Sequence, residues 1–149
     1  MEWASFYDTL TGIYNRNKFN QVIEDYGKKE VKNIGVVYFD INGLKPVNDK
    51  IGHEAGDNLI KETAAAINQV FQKYAYRIGG DEFIVIMDNI GEKEFDEKVK
   101  EVCQLMKHRK ISVSSGLSWR ENNHNLEEQV KEADERMYAD KKRHYAQLR

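Results

Sequence analysis

The pattern of apolar and polar positions predicts an alternation of helices and strands. Residues 34–41 (IGVVYFDI) are mostly apolar and rich in β-branched side chains, as in a buried strand. Apolar residues three and four positions apart in residues 19–26 indicate a short amphipathic helix. The other predicted elements are a helix over 57–74, a hairpin over 76–87, a helix over 92–108, a strand over 111–119 and a helix from 126 to about 145.

The order of these elements indicates the class of fold. Strands alternate with helices around one predicted antiparallel hairpin, which favours an α/β or α+β fold with a mixed central sheet flanked by helices. No repeat, low-complexity tract or Pro/Ser-rich linker interrupts the sequence. We therefore expect one domain over residues 1–149, with residues 1–7 as the tail of an upstream linker or signalling helix. We also expect Pro46 to lie in a loop and Asp57 to cap the helix that it begins.

Composition and charge argue against several classes of protein. The 23 Lys and Arg and the 25 Asp and Glu leave a net charge of −2, without the positive excess of a nucleic-acid or membrane-surface protein. No stretch approaches the roughly 20 apolar residues of a membrane span, so we expect a soluble, cytoplasmic domain without membrane contact. The one cysteine, Cys103, excludes an internal disulfide and a Cys-rich zinc site, and its helical spacing from apolar neighbours indicates a core residue.

Three acidic side chains are predicted to share one end of the sheet. Asp40 ends the apolar run, and Asp81 and Glu82 are predicted to lie in the hairpin turn after Gly79-Gly80. The glycine pair admits positive φ, but such a pair suits any tight hairpin. If the hairpin pairs with the strand over 34–41, the carboxylates converge and need a cation between them. Mg²⁺ and Mn²⁺ prefer such oxygen ligands, which indicates metal-assisted phosphoryl or nucleotidyl transfer. Alternatively, Asp40 and Asp81 only end a strand and fill a turn.

The segment between the strand and the next helix is long, polar and rich in turn-forming residues, as functional loops often are. Backbone amides around Asn42 and Gly43 are candidates for contacts with phosphate oxygens, and Lys45 is a candidate for neutralising phosphate charge. Asn48 and Asp57 offer an amide and a carboxylate that together can recognise guanine. Each of these residues could instead be a solvated loop residue or a helix cap.

Four ordered segments resemble the motifs of the GGDEF domains of diguanylate cyclases. Residues 8–19 (DTLTGIYNRNKF) are similar to the family's N-terminal signature, and residues 39–60 (FDINGLKPVNDKIGHEAGDNLI) to its metal and guanine segment. Residues 77–83 (RIGGDEF) carry the naming motif intact, and residues 133–142 (ADERMYADKK) resemble the closing signature. The resemblance runs from about residue 8 to 145 and implies a fold like that of nucleotidyl cyclase and polymerase palm domains.

The resemblance implies a role for each acidic residue of the cluster. Asp40 and Asp81 would hold magnesium, or manganese in its place, with the backbone carbonyl of Ile41 as a further ligand. Glu82 would assist either the metal or the proton transfer.

The resemblance also implies GTP as the substrate. Lys45 would stabilise charge on the transferring phosphate, and Lys141 would contact the outer phosphates. Asn48 and Asp57 would recognise guanine. The further substrate-binding residues are Gly43, Leu44 and His53. For His53, which has no zinc-type spacing with another histidine, a structural hydrogen bond is the alternative.

The family's reaction joins two GTP molecules into cyclic di-GMP and releases two pyrophosphates. It needs two GTP-loaded domains face to face, so the implied partner is a second copy of this domain, and homodimerisation is part of catalysis. An upstream sensor domain, attached to a membrane or not, is a further expected partner. Two alternatives stay open: a catalytically silent module that binds GTP and regulates a partner, and a structural or interaction domain without a nucleotide.

Three departures from the family pattern change these expectations. Tyr145 stands where the family often has an arginine for phosphate, and His144 replaces the usual glycine, so we expect weaker GTP binding. Val70 and Lys73 occupy the positions of the R-x-x-D product-inhibition site, so we expect that site to be absent. Residues 40–44 (DINGL) lack the second aspartate and the aromatic residue of many relatives but retain the implied metal ligands.

Overall fold

The computed structural model describes residues 3–122 and 125–148. Its elements are, in chain order, α1 (Trp3–Phe6), α2 (Arg16–Tyr26), β1 (Asn33–Ile41), α3 (Leu44–Lys50), α4 (His53–Phe71), a 3₁₀ turn (Gln72–Tyr74), β2 (Ala75–Arg77), β3 (Glu82–Asp88), α5 (Glu92–His108), β4 (Val113–Glu121) and α6 (Leu126–Gln147). None of the helices in these two ranges is long and apolar enough to cross a membrane. Residues 1 and 2 of the predicted linker tail lie outside the described residues, and the assignment of residues 1–7 to a linker stays a prediction.

The four strands form one sheet in the order β2-β3-β1-β4, and each neighbouring pair runs antiparallel. Helices pack on both faces of this sheet, which confirms the α+β class. We expected a mixed sheet, whereas the observed sheet is antiparallel. The difference arises because the hairpin inserts β3 between β1 and β2. These two strands run in the same direction but are not neighbours. Among the described residues, the parallel pairing is an isolated bridge between Tyr14 and Tyr76.

The apolar run of β1 is buried on both of its faces, as predicted. Val37 and Phe39 pack in the cluster that includes α4 and α5, whereas Val36 and Tyr38 pack in the cluster that includes α2 and α6. Side chains alternate between the two faces of a strand. Asp40 therefore belongs to the α2 and α6 face.

The segment after β1 is more helical than the sequence pattern indicated. It contains α3, and α4 begins at His53 rather than at Asp57. Pro46 is the third residue of α3 instead of a loop residue; the first turn of a helix makes no use of that N–H, so proline is tolerated there. The prediction that Asp57 caps α4 is wrong, because Asp57 is the fifth residue of the helix and Gly52 occupies the N-cap.

The predicted hairpin is confirmed, but its turn lies one residue earlier in the sequence than expected. β2 ends at Arg77 and Glu82 is the first residue of β3, so Asp81 is the acidic residue that lies in the turn. Neither Gly79 nor Gly80 has a positive φ. Gly79 instead provides space, because a Cβ atom there would lie 2.9 Å from a carboxylate oxygen of Glu82.

The second half of the chain follows the sequence pattern closely. α5 has the predicted bounds, α6 begins at the predicted residue, and β4 begins and ends two residues later than expected. Cys103 in α5 is partly buried and packs against the core, as predicted. Burial raises the pKa of its thiol, which makes it a poor nucleophile.

Candidate active site

Strand register brings the predicted carboxylates together. Asp40 in β1 lies directly opposite Glu82 in β3, so the two side chains share one face of the sheet. The Ile41 N–H donates to the carbonyl of Asp81 over 2.9 Å, which ties the end of β1 to the hairpin turn. The three acidic residues therefore meet at one end of the sheet.

Asp40 is a buried carboxylate with one paired and one unpaired oxygen. It is 6% exposed, and its Oδ2 lies 2.8 Å from the ammonium group of Lys141. Its Oδ1 is buried without a hydrogen-bond partner. Burial above all, with the charge of Asp81 adding to it, raises the pKa of Asp40 to about 6 although the hydrogen bond from Lys141 lowers it. The positive charge around Asp40 is thus too small to offset the cost of burying its ionised carboxylate.

The acidic pair fits a magnesium ion. Asp40 Oδ1 and the neighbouring Asp81 carboxylate are hard oxygen ligands. Within residues 3–122 and 125–148, no three Asp, Glu, His or Cys side chains group closely enough to enclose a metal ion. Mg²⁺ usually takes one or two protein carboxylates and fills its other positions with water and phosphate oxygens. Two carboxylates at one end of the sheet are therefore a suitable donor set, and the carbonyl of Ile41 stays a predicted further ligand.

Glu82 is oriented by a tyrosine. The hydroxyl of Tyr38 donates to Oε1 of Glu82 over 3.3 Å. Burial above all, and then the charge of Glu82, raise the pKa of the Tyr38 phenol, so this group stays a proton donor in the contact. Glu82 thus has a partner different from the lysine that pairs with Asp40.

Two arginines hold the glycine turn between β2 and β3. Nη2 of Arg77 donates to the carbonyl of Gly80 over 2.9 Å, and its Nη1 lies 3.1 Å from both carboxylate oxygens of Asp8. Nη1 of Arg16 donates to the carbonyl of Ile78 over 2.8 Å. Charge-assisted hydrogen bonds of this kind are stronger than neutral ones. The N-terminal motif therefore supports the turn that carries the acidic residues.

Close packing of α6 on β4 brings Lys141 over the acidic pair. Gly116 permits this approach, because a Cβ atom there would collide with the α6 backbone between residues 133 and 137. The Ser115 N–H, on the edge of the sheet, donates to Oδ2 of Asp140 over 2.9 Å. These contacts hold α6 against β4 in the helical turns that precede Lys141.

The loop after β1 is anchored by Asn42. Its backbone N–H donates to the carbonyl of Ser112 over 2.9 Å, and its Oδ1 accepts from the Ser114 hydroxyl over 2.9 Å. The backbone N–H of Asn42 is therefore not free for a phosphate oxygen, contrary to our prediction. Gly43 follows with a φ of +75°, and its N–H donates to the hydroxyl of Tyr145 over 3.2 Å. The candidate phosphate-binding amides thus begin at Gly43, where the first turn of α3 leaves N–H groups unpaired within the helix.

The two predicted guanine-binding residues lie near each other. Asn48 packs against α4 at Gly56, where a Cβ atom would collide with the Asn48 amide oxygen. Asp57 follows Gly56 and is exposed. The pair is thus positioned by the packing of α3 on α4, and its contact with guanine stays a prediction.

The other predicted substrate residues lie at the starts of these two helices. Lys45 in α3 and His53 in α4 are exposed, and neither makes an ion pair among the described residues. The side chain of Leu44 packs against the core, so its backbone N–H is the group that can face a ligand. Their roles toward a nucleotide also stay predictions.

Three residues around the site, Tyr38, Arg16 and Arg77, were not predicted to have a role. Tyr38 lies two residues before Asp40, and the period of two along a strand places both on one face. That spacing could have identified Tyr38. Both arginines lie inside the matched segments, but their carbonyl partners are set by the tertiary fold.

Known proteins with similar sequences identify the family of this chain. The family model described as "Diguanylate cyclase, GGDEF domain" matches residues 5–147. Probable diguanylate cyclase DgcJ of Escherichia coli is 35% identical over 143 residues, covering 90% of this chain and 29% of DgcJ. Diguanylate cyclase DgcS of Shewanella oneidensis is 33% identical over 92 residues, covering 58% of this chain and 31% of DgcS. The chain thus spans less than a third of the length of these relatives.

The fold also matches a solved structure. The GGDEF domain of DgcB from Caulobacter crescentus, determined in complex with c-di-GMP, has a TM-score of 0.82 at 26% identity, covering 93% of this chain and 91% of that one. The similarity in fold therefore extends over nearly the whole chain. The family match over nearly the whole chain leads to one conclusion: this protein belongs to the GGDEF domain family.

Proposed function

We propose that this domain is an active, magnesium-dependent diguanylate cyclase that condenses two GTP molecules into cyclic di-GMP. The observation that carries the proposal is the buried Asp40, with one oxygen paired to Lys141 and the other unpaired, beside Asp81 at the end of the sheet. Family membership and relatives named as diguanylate cyclases support the same reaction.

The residues around the acidic pair bind and orient GTP in this proposal. The backbone amides of Gly43 and Leu44 and the side chains of Lys45 and Lys141 contact the phosphates. The guanine base is held by Asn48 and Asp57, whose mutual position is set by the close contact at Gly56. A magnesium ion held by Asp40 and Asp81 would neutralise charge on the phosphates and act as a Lewis acid.

The chemical step is an attack by the 3′-hydroxyl of one GTP on the α-phosphate of the other. A new phosphodiester bond forms as the bond to pyrophosphate breaks, and two such steps close the ring. Glu82 accepts the proton of the attacking hydroxyl, because the hydrogen bond from Tyr38 orients its carboxylate separately from the Asp40 and Lys141 pair. Each domain supplies one GTP, so the active assembly is a homodimer.

The second candidate is a module that binds GTP without turnover and regulates a partner. The observation that favours it is the hydrogen bond between Tyr145 and the Gly43 N–H. A tyrosine at this position lacks the positive charge that an arginine would bring to the phosphates.

Incubation of concentrated protein with GTP and magnesium, followed by chromatography of the products, tests the proposal. Cyclic di-GMP and pyrophosphate are expected, with a rate that rises faster than linearly with protein concentration and that chelation of magnesium abolishes. Absence of product while GTP still binds, even after a dimerising coiled coil is fused upstream, would favour the silent module. Absence of GTP binding would contradict both candidates.

A further inference from the structure

The backbone amide at the start of the phosphate loop already has an acceptor. The Gly43 N–H donates to the hydroxyl of Tyr145 over 3.2 Å. Gly43 is the N-cap of α3 and has a φ of +75°, which directs the chain away from β1 and into the helix. Since Asn42 uses its own N–H within the fold, Gly43 carries the first amide of the loop that a ligand can reach.

Tyr145 comes from the same face of α6 as Lys141. The two residues are four positions apart, one helical turn, and the Lys141 ammonium lies 6.0 Å from the Tyr145 ring centroid. Lys141 pairs with Asp40 at 2.8 Å. One face of α6 thus supplies a cation to the acidic pair and an oxygen to the neighbouring amide.

We propose that Tyr145 competes with the nucleotide for the Gly43 amide. Its hydroxyl oxygen occupies the position of a phosphate oxygen in the free domain, and GTP binds after the tyrosine side chain has moved away. This inference rests on the proposed binding of GTP and adds a residue that sets the affinity of the site.

The competition follows from the stoichiometry of the hydrogen bond. The Gly43 amide has one hydrogen, so a phosphate oxygen and the Tyr145 hydroxyl cannot both accept it in good geometry. Tyr145 is 41% exposed, so a change of rotamer can move its side chain into solvent without opening the core. Tyr145 therefore lowers the affinity for GTP by roughly the strength of one neutral hydrogen bond.

Removal of the hydroxyl tests the competition. Tyr145→Phe keeps the ring and is expected to tighten binding of 3′-deoxy-GTP about two- to tenfold, the range of one neutral hydrogen bond. This nucleotide lacks the attacking hydroxyl, so titration calorimetry with magnesium measures binding without turnover. Tyr138→Phe is the matched control, because Tyr138 lies on the same helix, is 57% exposed and makes no hydrogen bond through its hydroxyl among the described residues.

Hydrogen exchange of the Gly43 amide gives a second measurement that needs no nucleotide. Protection is expected in the wild-type domain and in Tyr138→Phe, with faster exchange in Tyr145→Phe. Wild-type protein that binds 3′-deoxy-GTP, together with Tyr145→Phe of equal or weaker affinity, would overturn the inference and leave the proposed function standing. Failure of all three proteins to bind the nucleotide would instead overturn the proposed function, and the competition with it.

Discussion

Asp40 and Glu82 lie opposite each other on neighbouring strands, yet their carboxylates have different partners. Asp40 pairs with the ammonium of Lys141 at 2.8 Å, whereas Glu82 accepts a hydrogen bond from the Tyr38 hydroxyl at 3.3 Å. The ammonium of Lys141 offsets only part of the rise that burial causes in the pKa of Asp40, which leaves this carboxylate suited to a further cation, whereas a neutral donor orients Glu82 without adding charge. These different partners support the proposed division of roles, in which Asp40 holds the metal and Glu82 accepts the proton.

Replacement of Asp81 separates catalysis from folding. We expect Asp81→Ala to lower cyclic di-GMP formation by about 100-fold or more, because the proposed magnesium site loses one of its two carboxylates. The free energy of unfolding should change little, because Asp81 lies in the turn. Its charge is one of the factors that raise the pKa of Asp40, so it repels that carboxylate and does not stabilise it. Product chromatography and urea unfolding measure both effects. Asp49→Ala, at an exposed position of α3, is the control; equal turnover in the two variants would contradict the metal assignment.

The stability of the metal-free domain is expected to depend on pH through Asp40. An unfolded aspartate ionises near 3.8, whereas burial raises the pKa of Asp40 to about 6. Between these values the unfolded chain releases a proton that the folded domain keeps, so the contribution of Asp40 to stability falls as pH rises from about 4 to 6.

Asp40→Asn removes this titration. We expect it to be more stable than the wild type by about 1–2 kcal/mol at pH 8 in EDTA, with the difference disappearing near pH 4. Urea unfolding at the two pH values measures it, with Asp49→Asn as an exposed control. A difference that is the same at both values would show that Asp40 does not titrate in this range.

The position of α6 is expected to depend on Gly116. A side chain there would collide with the helix backbone, so we expect Gly116→Ala to lower the free energy of unfolding by about 1–3 kcal/mol. GTP binding should weaken as well, because a displaced α6 moves Lys141 away from Asp40. Gly91→Ala is the control, since nothing lies within 4 Å of a Cβ atom at Gly91. Equal stability of the two variants, measured by thermal unfolding, would contradict the close approach.

Inhibition by the product is expected to occur only through the active site. Val70, at the position where many relatives have the arginine of the inhibitory motif, packs against the core, and Lys73 lies with its ammonium 5.5 Å from the Tyr74 ring. Neither offers the paired charges of that motif. Initial rates at several GTP concentrations should therefore show purely competitive inhibition by cyclic di-GMP; a noncompetitive pattern would reveal a separate site.

Long apolar patterns allowed most of the fold to be predicted from the sequence. The run in β1 and the spacing in α5 identified both elements, because their burial follows the local pattern. α3 was missed because it has seven residues, mostly polar, with Pro46 in its first turn. The start of α4 was misplaced because Asp57 suits an N-cap, while the helix begins after Gly52 without a side-chain cap.

The acidic residues of the site could be predicted, since their spacing places them at the ends of a strand and a hairpin. The contact between Tyr145 and Gly43 could not, because no local pattern relates two residues 102 positions apart. The same holds for Arg16, whose partner is a backbone carbonyl 62 positions away. Such contacts depend on how α2 and α6 pack on the sheet.

The distance in sequence between Lys141 and Asp40, 101 positions, has a consequence for synthesis of the chain. A chain made from its N-terminus can pair β1 with the hairpin before Lys141 exists, and contacts across so long a loop form late in folding. Until α6 docks, Asp40 lies at the end of a strand without its ammonium partner. The nascent domain therefore gains the ammonium partner of Asp40 only when α6 docks on β4, after the strands of the sheet have paired.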